Sequence, residues 1–190
     1  IDGSLINSSH QLTENVKQSI QKAKQKGVKV VLCTGRPLKG VESFLEELNL
    51  KEEGDYAATF NGALVQDTFS KSPISHLTLK YDDLVELYNL SEEIGSRSHF
   101  YDTKTLYTFN KEVSDYTVLE AHLTGIHLNI TTLEEVPKDI SMSKFMMIDH
   151  PEILDECIKK IPEKYYEKYT IVRSTPFFLE FLNPDANKGS

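Results

Sequence analysis

Apolar residues at Val16, Ile20 and Ala23 recur at helical spacing behind Thr13, a candidate N-cap, with Glu14 in the first turn. Gly27 supplies a C-terminal stop, so the pattern predicts a helix between them. The run that follows, Val28-Lys29-Val30-Val31-Leu32-Cys33-Thr34, is rich in β-branched residues and nearly continuous in apolar character. Such continuity predicts a strand buried on both faces, as in a parallel sheet covered by helices. Gly35-Arg36-Pro37 breaks the run, and Pro37 is placed to open a second helix carrying Val41, Phe44, Leu45 and Leu48. A third strand, about residues 57–65, follows the acidic turn Glu52-Glu53-Gly54-Asp55. Strand and helix alternating through short loops is the signature of an α/β doubly wound layer.

The pattern changes near Ser70-Lys71-Ser72-Pro73. Beyond it come a helix at 82–95, short strands at 98–102 and 105–109 with a hairpin turn at Asp102-Thr103-Lys104, and a helix at 112–123. Strands at 126–131 and 143–149 follow, then a helix opened by Pro151 and reaching Ile161, then strands at 169–173 and 177–182. Strands adjoining strands, with helices on one face, read as α+β. Residues 75–183 are therefore expected to form a second domain inserted into a first, made of 1–74 and 184–190. No internal repeat or low-complexity segment occurs.

Composition narrows the class. Hydrophobic residues are 39% and charged residues 26% of 190, and nine Phe with nine Tyr supply a core that a disordered chain would lack. A formal charge of −8 argues against a nucleic-acid or anionic-membrane binder. With only Cys33 and Cys157, both in apolar surroundings, the chain is no disulfide scaffold, and a reducing cytoplasm is the expected compartment. No apolar run approaches the ~20 residues that span a bilayer. None of the six histidines has metal-ligand spacing.

In open α/β sheets, ligands bind outside the carboxyl ends of the strands. Three segments of the first domain fall there: Asp2-Gly3-Ser4, Thr34-Gly35-Arg36-Pro37 and Asn61-Gly62. Together they offer a carboxylate, a hydroxyl, backbone amides, a guanidinium and a carboxamide, a set suited to an anion held by donors beside an acid/base. Each piece alone has a plainer reading. Asp-Gly-Ser is a common turn, Thr-Gly-Arg-Pro a capped strand-to-helix connection, and Asn-Gly a frequent hairpin dipeptide. Asn187-Lys188-Gly189 alone could be any surface loop. Their order and spacing, with an α+β insert before the last, is what carries the argument.

The run Asp2-Gly3-Ser4-Leu5, then Val30-Val31-Leu32-Cys33-Thr34-Gly35-Arg36-Pro37, Phe60-Asn61-Gly62-Ala63 and Asn187-Lys188-Gly189 resembles the Cof-type branch of the haloacid-dehalogenase-like phosphatases, and within it the sugar phosphatases. The likeness extends through Leu106-Tyr107-Thr108, Lys144-Phe145-Met146-Met147-Ile148-Asp149 and Phe177-Phe178-Leu179-Glu180, so it covers essentially the whole chain. It implies an α/β fold: a Rossmannoid parallel-sheet core, incomplete as written, with an inserted α+β cap domain.

The resemblance also implies chemistry, position by position. The family's first motif is Asp-x-Asp-Gly, whose first Asp attacks phosphorus to form an aspartyl-phosphate. Ile1 stands at x and Asp2 at the second Asp, so the nucleophile is expected ahead of Ile1. Asp2 would serve as general acid and then general base, and its carbonyl would ligate Mg²⁺, the implied cofactor. Thr34, Gly35 and the Ile1 amide would hold the phosphoryl oxygens, and Lys188 would offset the phosphate charge. Arg36 and Asn61 match positions common in the branch, either touching substrate or bracing the loops. An acidic fourth motif that completes the metal site is expected after Lys188. The stretch as written is accordingly expected to be inactive, the parent protein being the enzyme.

The implied activity is hydrolysis of small phosphorylated metabolites, sugar phosphates first. A phosphomutase sharing the covalent step, or a non-catalytic module binding phosphorylated ligands, are the alternatives. In the cap, Glu180, Arg97, His99 and His122 are polar candidates, each read more simply as a solvated or satisfied side chain. Cys33 and Cys157 read as inert.

Overall fold

The computed structural model describes residues 1, 4–9 and 11–188; Asp2, Gly3, His10, Gly189 and Ser190 lie outside the described residues. Two compact units are present, one comprising Ile1–His76 with Lys188, the other Leu77–Asn187.

In the first unit, α1 (Glu14–Gln25) starts behind Thr13 and ends before Gly27, whose φ of +80° is the left-handed conformation that glycine adopts without steric cost. β1 (Leu32–Cys33) pairs in parallel with β2 (Tyr56–Thr59), Leu32 opposite Ala57 and Cys33 opposite Ala58. β1 is far shorter than the apolar run 28–34 suggests, and Val28 and Val31 are 53% and 45% exposed. Among the described residues β1 is an edge strand with a ladder on one side only, so the run is half covered. Pro37 precedes a 3-10 turn (Leu38–Val41) that leads into α2 (Glu42–Glu47), two short pieces where one helix was expected. Their apolar face closes a core of Leu32, Val41, Leu45, Leu48 and Leu50, with Ile1, Leu5, Leu12 and Ile20 packed against it.

The expected third strand is in fact two. β2 ends at Thr59, a 3-10 turn at Phe60–Gly62 reverses the chain, and β3 (Leu64–Asp67) returns antiparallel with Thr59 opposite Leu64. Asn61-Gly62 thus acts in its hairpin role, and β4 (Pro73–His76) adds a further antiparallel strand that the boundary-like Ser-Lys-Ser-Pro run concealed. The sheet order is β1-β2-β3-β4.

The second unit is a six-stranded sheet of order β7-β6-β5-β8-β10-β9. Its strands are β5 (Arg97–Tyr101), β6 (Thr105–Thr108), β7 (His127–Ile130), β8 (Lys144–Ile148), β9 (Thr170–Thr175) and β10 (Phe178–Leu182), antiparallel except for β6 with β7. The β5–β6 turn is fixed by Asp102, whose Oδ1 accepts from the Thr105 amide at 2.7 Å. The helices are α3 (Tyr81–Ile94), α4 (Asp115–Thr124), α5 (Pro151–Ile158) and α6 (Glu163–Lys168). The helix opened by Pro151 therefore stops before Ile161, and α6 restarts behind Pro162.

Every residue of β8 is buried, and alternation sends them two ways. Phe145 and Met147 enter the main apolar core with Phe100, Leu84, Leu87, Leu154 and Phe181. Across the other face Tyr101 pairs opposite Lys144, and His99 and Glu180 flank Met146. This second face is polar and shut. Tyr101 donates to Glu120 Oε1 at 2.7 Å, and Lys144 Nζ lies 3.4 Å from Glu180 and 3.8 Å from Glu120. α4 presents Thr117, Glu120 and Thr124 inward and leaves Val118, Leu119 and Leu123 exposed, the reverse of an ordinary amphipathic helix. Cys157 is buried with its Sγ 3.4 Å from the Ile94 carbonyl, and burial raises its thiol pKa.

His99 is fully buried, with Nδ1 3.1 Å from Thr117 Oγ1 and Nε2 3.1 Å from the Met146 sulfur. Burial, helped by the Lys144 charge, holds its pKa well below the usual 6.5. Below about pH 6.5 the unfolded chain takes up a proton at this imidazole that the folded chain refuses, so stability falls as pH falls. The His99 contribution to that slope approaches about 1.4 kcal/mol per pH unit. Urea denaturation at pH 7 and pH 5 should show a smaller acid loss for His99→Gln than for the unaltered chain; equal losses would mean His99 is not held neutral.

Candidate active site

Thr34 leaves the end of β1 with its amide donating to the Ala58 carbonyl at 2.9 Å, which carries the parallel ladder one residue past the strand. Its side chain is buried, and Oγ1 accepts the Arg36 amide at 3.1 Å. The loop is then tied to the β2–β3 turn by two backbone bonds. Asn61 N–H donates to the Thr34 carbonyl at 2.8 Å, and Phe60 N–H donates to the Arg36 carbonyl at 3.2 Å.

The turn that makes these bonds is strained. Phe60 and Asn61 have φ of +50° and +57°, a left-handed pair of non-glycine residues. Asparagine tolerates this region, whereas phenylalanine rarely enters it, and such residues cost of order 1–3 kcal/mol each. The Phe60 ring is completely buried. Burial of a phenylalanine side chain is worth about 1.5–3 kcal/mol, enough to offset its own strain.

The Asn61 side chain lies against Gly35. A Cβ at position 35 would stand 2.9 Å from Asn61 Oδ1, inside any normal contact, so the carboxamide and a larger residue compete for one space. Gly35, Arg36 and Asn61 are all half-buried.

The structure therefore brings together Thr34, Gly35, Arg36 and Asn61. Ile1 is half-buried against the Leu32 core, and its carbonyl accepts the amides of Leu5 at 2.9 Å and Ser4 at 3.2 Å. Lys188 falls in the first unit as an exposed side chain. Asp2, the expected acid/base and metal ligand, lies outside the described residues. Among the described residues no group of three or more His, Cys, Asp or Glu is set to hold a metal. Of the polar candidates in the second unit, His99 and Glu180 are buried and partnered, His122 is exposed, and Arg97 pairs with Asp149 at 3.5 Å. Sequence reasoning missed Phe60 as the strained member of the turn; the only signal was a bulky apolar residue directly before Asn-Gly.

Gly35→Ala should destabilise the chain by about 1–3 kcal/mol, the usual cost of overpacking. Asn61→Gly should cost far less, because glycine relieves the left-handed strain, and the double variant should recover most of the Gly35→Ala loss. A thermal-unfolding double-mutant cycle measures this coupling; additive losses would show that the two residues do not compete.

The sequence model for haloacid dehalogenase-like hydrolases matches residues 1–190. YxeH of Bacillus subtilis (strain 168), proposed by name to be a phosphatase, is 50% identical over 190 residues, all of this chain and 70% of its own length. Among solved structures, a haloacid dehalogenase-like hydrolase from Bacteroides thetaiotaomicron superposes with a TM-score of 0.83 at 23% identity, covering 98% of this chain and 70% of that one. The HAD subclass IIB sugar phosphatase BT4131 gives a TM-score of 0.74 at 18% identity, covering 99% and 69%. No helix among the described residues is long and apolar enough to cross a membrane. The chain belongs to the haloacid dehalogenase-like hydrolase family.

Proposed function

We propose that this protein is a phosphatase of small phosphorylated metabolites, sugar phosphates foremost, acting through an aspartyl-phosphate with Mg²⁺ as cofactor. The observation that carries the reading is the clasped loop: a buried hydroxyl at Thr34 and a close-approach glycine at Gly35, held by Asn61 at the carboxyl end of β1. A hydroxyl that accepts an amide keeps its own proton to donate, and a phosphoryl oxygen is a fitting acceptor. The name of YxeH and the sugar phosphatase BT4131 support the same class.

In this reading the nucleophilic Asp precedes Ile1. Its carboxylate oxygen bonds to phosphorus as the bond to the leaving alkoxide breaks, and the Asp2 carboxyl gives that alkoxide its proton. A water then attacks phosphorus, its proton passes to the Asp2 carboxylate, and the bond to the nucleophilic Asp breaks to free phosphate. Thr34 Oγ1 and the Gly35 and Ile1 amides steady the phosphoryl oxygens, and Lys188 balances their charge. Arg36 completes the loop, and Asn61 positions it. Among the described residues no cluster of His, Cys, Asp or Glu is set to hold Mg²⁺; Asp2 is the ligand the motif assigns here, and the ion when bound would offset phosphoryl charge. In this reading the first unit, Ile1–His76 with Lys188, is the core, and the second, Leu77–Asn187, is a cap that excludes water and selects the leaving group.

The full-length gene product should release phosphate from one or more of a panel of sugar phosphates in Mg²⁺, and lose that activity to EDTA until Mg²⁺ is restored. Thr34→Ala should lower kcat by about 10²–10³-fold, the cost of one oriented donor. An isomeric sugar phosphate in place of free phosphate would mark a mutase, and no turnover of any member would overturn the reading.

A further inference from the structure

The second unit contains a cavity of about 490 Å³ at one end of its sheet. The chain enters and leaves the unit at the opposite end, where Leu79 bridges to Met142 and Asn183 Nδ2 donates to the Thr78 carbonyl at 3.1 Å. The cavity is instead at the end where Arg97 and Phe178 both pair with Ile148. It is lined by Arg97, Glu112, Ser114, Asp115, Tyr116 and His150, none of which belongs to the site proposed above.

The lining is built from three elements and held by packing. Asp149, nearly fully buried, anchors two of the walls: it accepts the His150 amide at 2.9 Å and faces Arg97 Nη1 at 3.5 Å. That single long ion pair engages little of a guanidinium with five donors, and the Arg97 side chain stays 43% exposed. Tyr116 stacks on Phe177 with centroids 4.5 Å apart, and its hydroxyl lies 3.3 Å from His150 Nδ1. Ser114 caps α4 and accepts the Tyr116 amide, fixing Asp115 in the first turn. Glu112 and Asp115 form no ion pair among the described residues.

These charges discriminate among ligands. Two carboxylates disfavour phosphate or any polyanion. The one cationic fork disfavours a bare amine or metal ion, in keeping with the lack of a metal-holding cluster among the described residues. A ligand that carries both signs on a short frame satisfies the walls together, and a cavity of this size is typical of small-molecule sites. We propose that this cavity binds a small zwitterion of the α-amino acid or short-peptide class. Its carboxylate engages Arg97, its ammonium engages Glu112 and Asp115, and its side chain lies along Tyr116.

The proposal is independent of the phosphatase reading, and its test uses no turnover. Thermal unfolding and calorimetric titration of the 190-residue chain are run with the common free amino acids and a set of dipeptides. The controls are N-acetylated and amidated forms of the same compounds, and inorganic phosphate. At least one zwitterion should raise Tm, and neither of its capped forms should. Glu112→Gln changes an exposed residue, so it should leave the Tm of the free protein in place while weakening that zwitterion by about tenfold or more. Arg97→Gln should abolish binding, and if it unfolds the unit, Glu112→Gln still decides. The proposal is overturned if no zwitterion binds, if capped forms or phosphate bind as well, or if Glu112→Gln leaves the affinity unchanged.

Discussion

The left-handed turn at Phe60 and Asn61 is the constraint on which the first unit's site depends. β1 holds only two residues in its ladder, too few to aim the loop that follows. The aim comes from across the sheet, where the turn returns two amides to the carbonyls of Thr34 and Arg36 and sets a carboxamide against Gly35. Strain at Phe60 is offset by burying its ring, so a locally unfavourable conformation is held by the core below it. Core packing, turn geometry and loop placement are one structural unit here.

The second unit solves a different problem. Its central strands β8 and β10 are buried on both faces, and one of those faces carries charge. There, one lysine and two glutamates are enclosed with a tyrosine and a neutral histidine. Taking charges out of water costs several kcal/mol per ion, and ion pairs of 3.4 and 3.8 Å offset only part of it. Such a layer contributes little net stability and much registry, since any slip of β8 by one residue would place Phe145 among the carboxylates. α4 follows from the same demand: it must offer Glu120 and Thr117 to that layer, and so its apolar residues are left to face outward.

Much of this was legible in the residues. Helical spacing placed α1, and Gly27 marked its stop where a left-handed φ stands; helices were also expected at 82–95, 112–123 and from Pro151, where α3, α4 and α5 lie with shifted ends. A change of pattern was expected at Ser70–Pro73, but strands already adjoin one another from β2 through β4, and the two units divide between His76 and Leu77. What misled was the reading of apolar runs. Val28–Thr34 looked buried on both faces, but burial depends on neighbours that a local pattern does not specify. Residues 57–65 looked like one strand because Phe60 keeps the apolar pattern continuous through a chain reversal. Of the site, the residue types at Thr34, Gly35, Arg36 and Asn61 were legible from motif spacing. Their mutual bonding was not, because a contact between residue 35 and residue 61 is a property of the sheet and leaves no trace in either segment alone.

The same contact bears on how such a loop could work on phosphate. Phosphate-ester hydrolysis demands accelerations up to about 10²¹-fold, and positioned donors supply much of such effects only if they need not reorganise as charge develops. A glycine-containing loop left to itself samples many backbone states and would have to be ordered in each cycle. In the proposed site the glycine would give close approach, while the Asn61 side chain against it limits the freedom that glycine would otherwise bring. Flexibility in the residue and rigidity in the loop are compatible because the two properties reside in different segments, the loop after β1 and the β2–β3 turn. In the proposed site, a change at Asn61 would therefore reach the phosphoryl oxygens through Gly35, whether or not its carboxamide ever touches substrate.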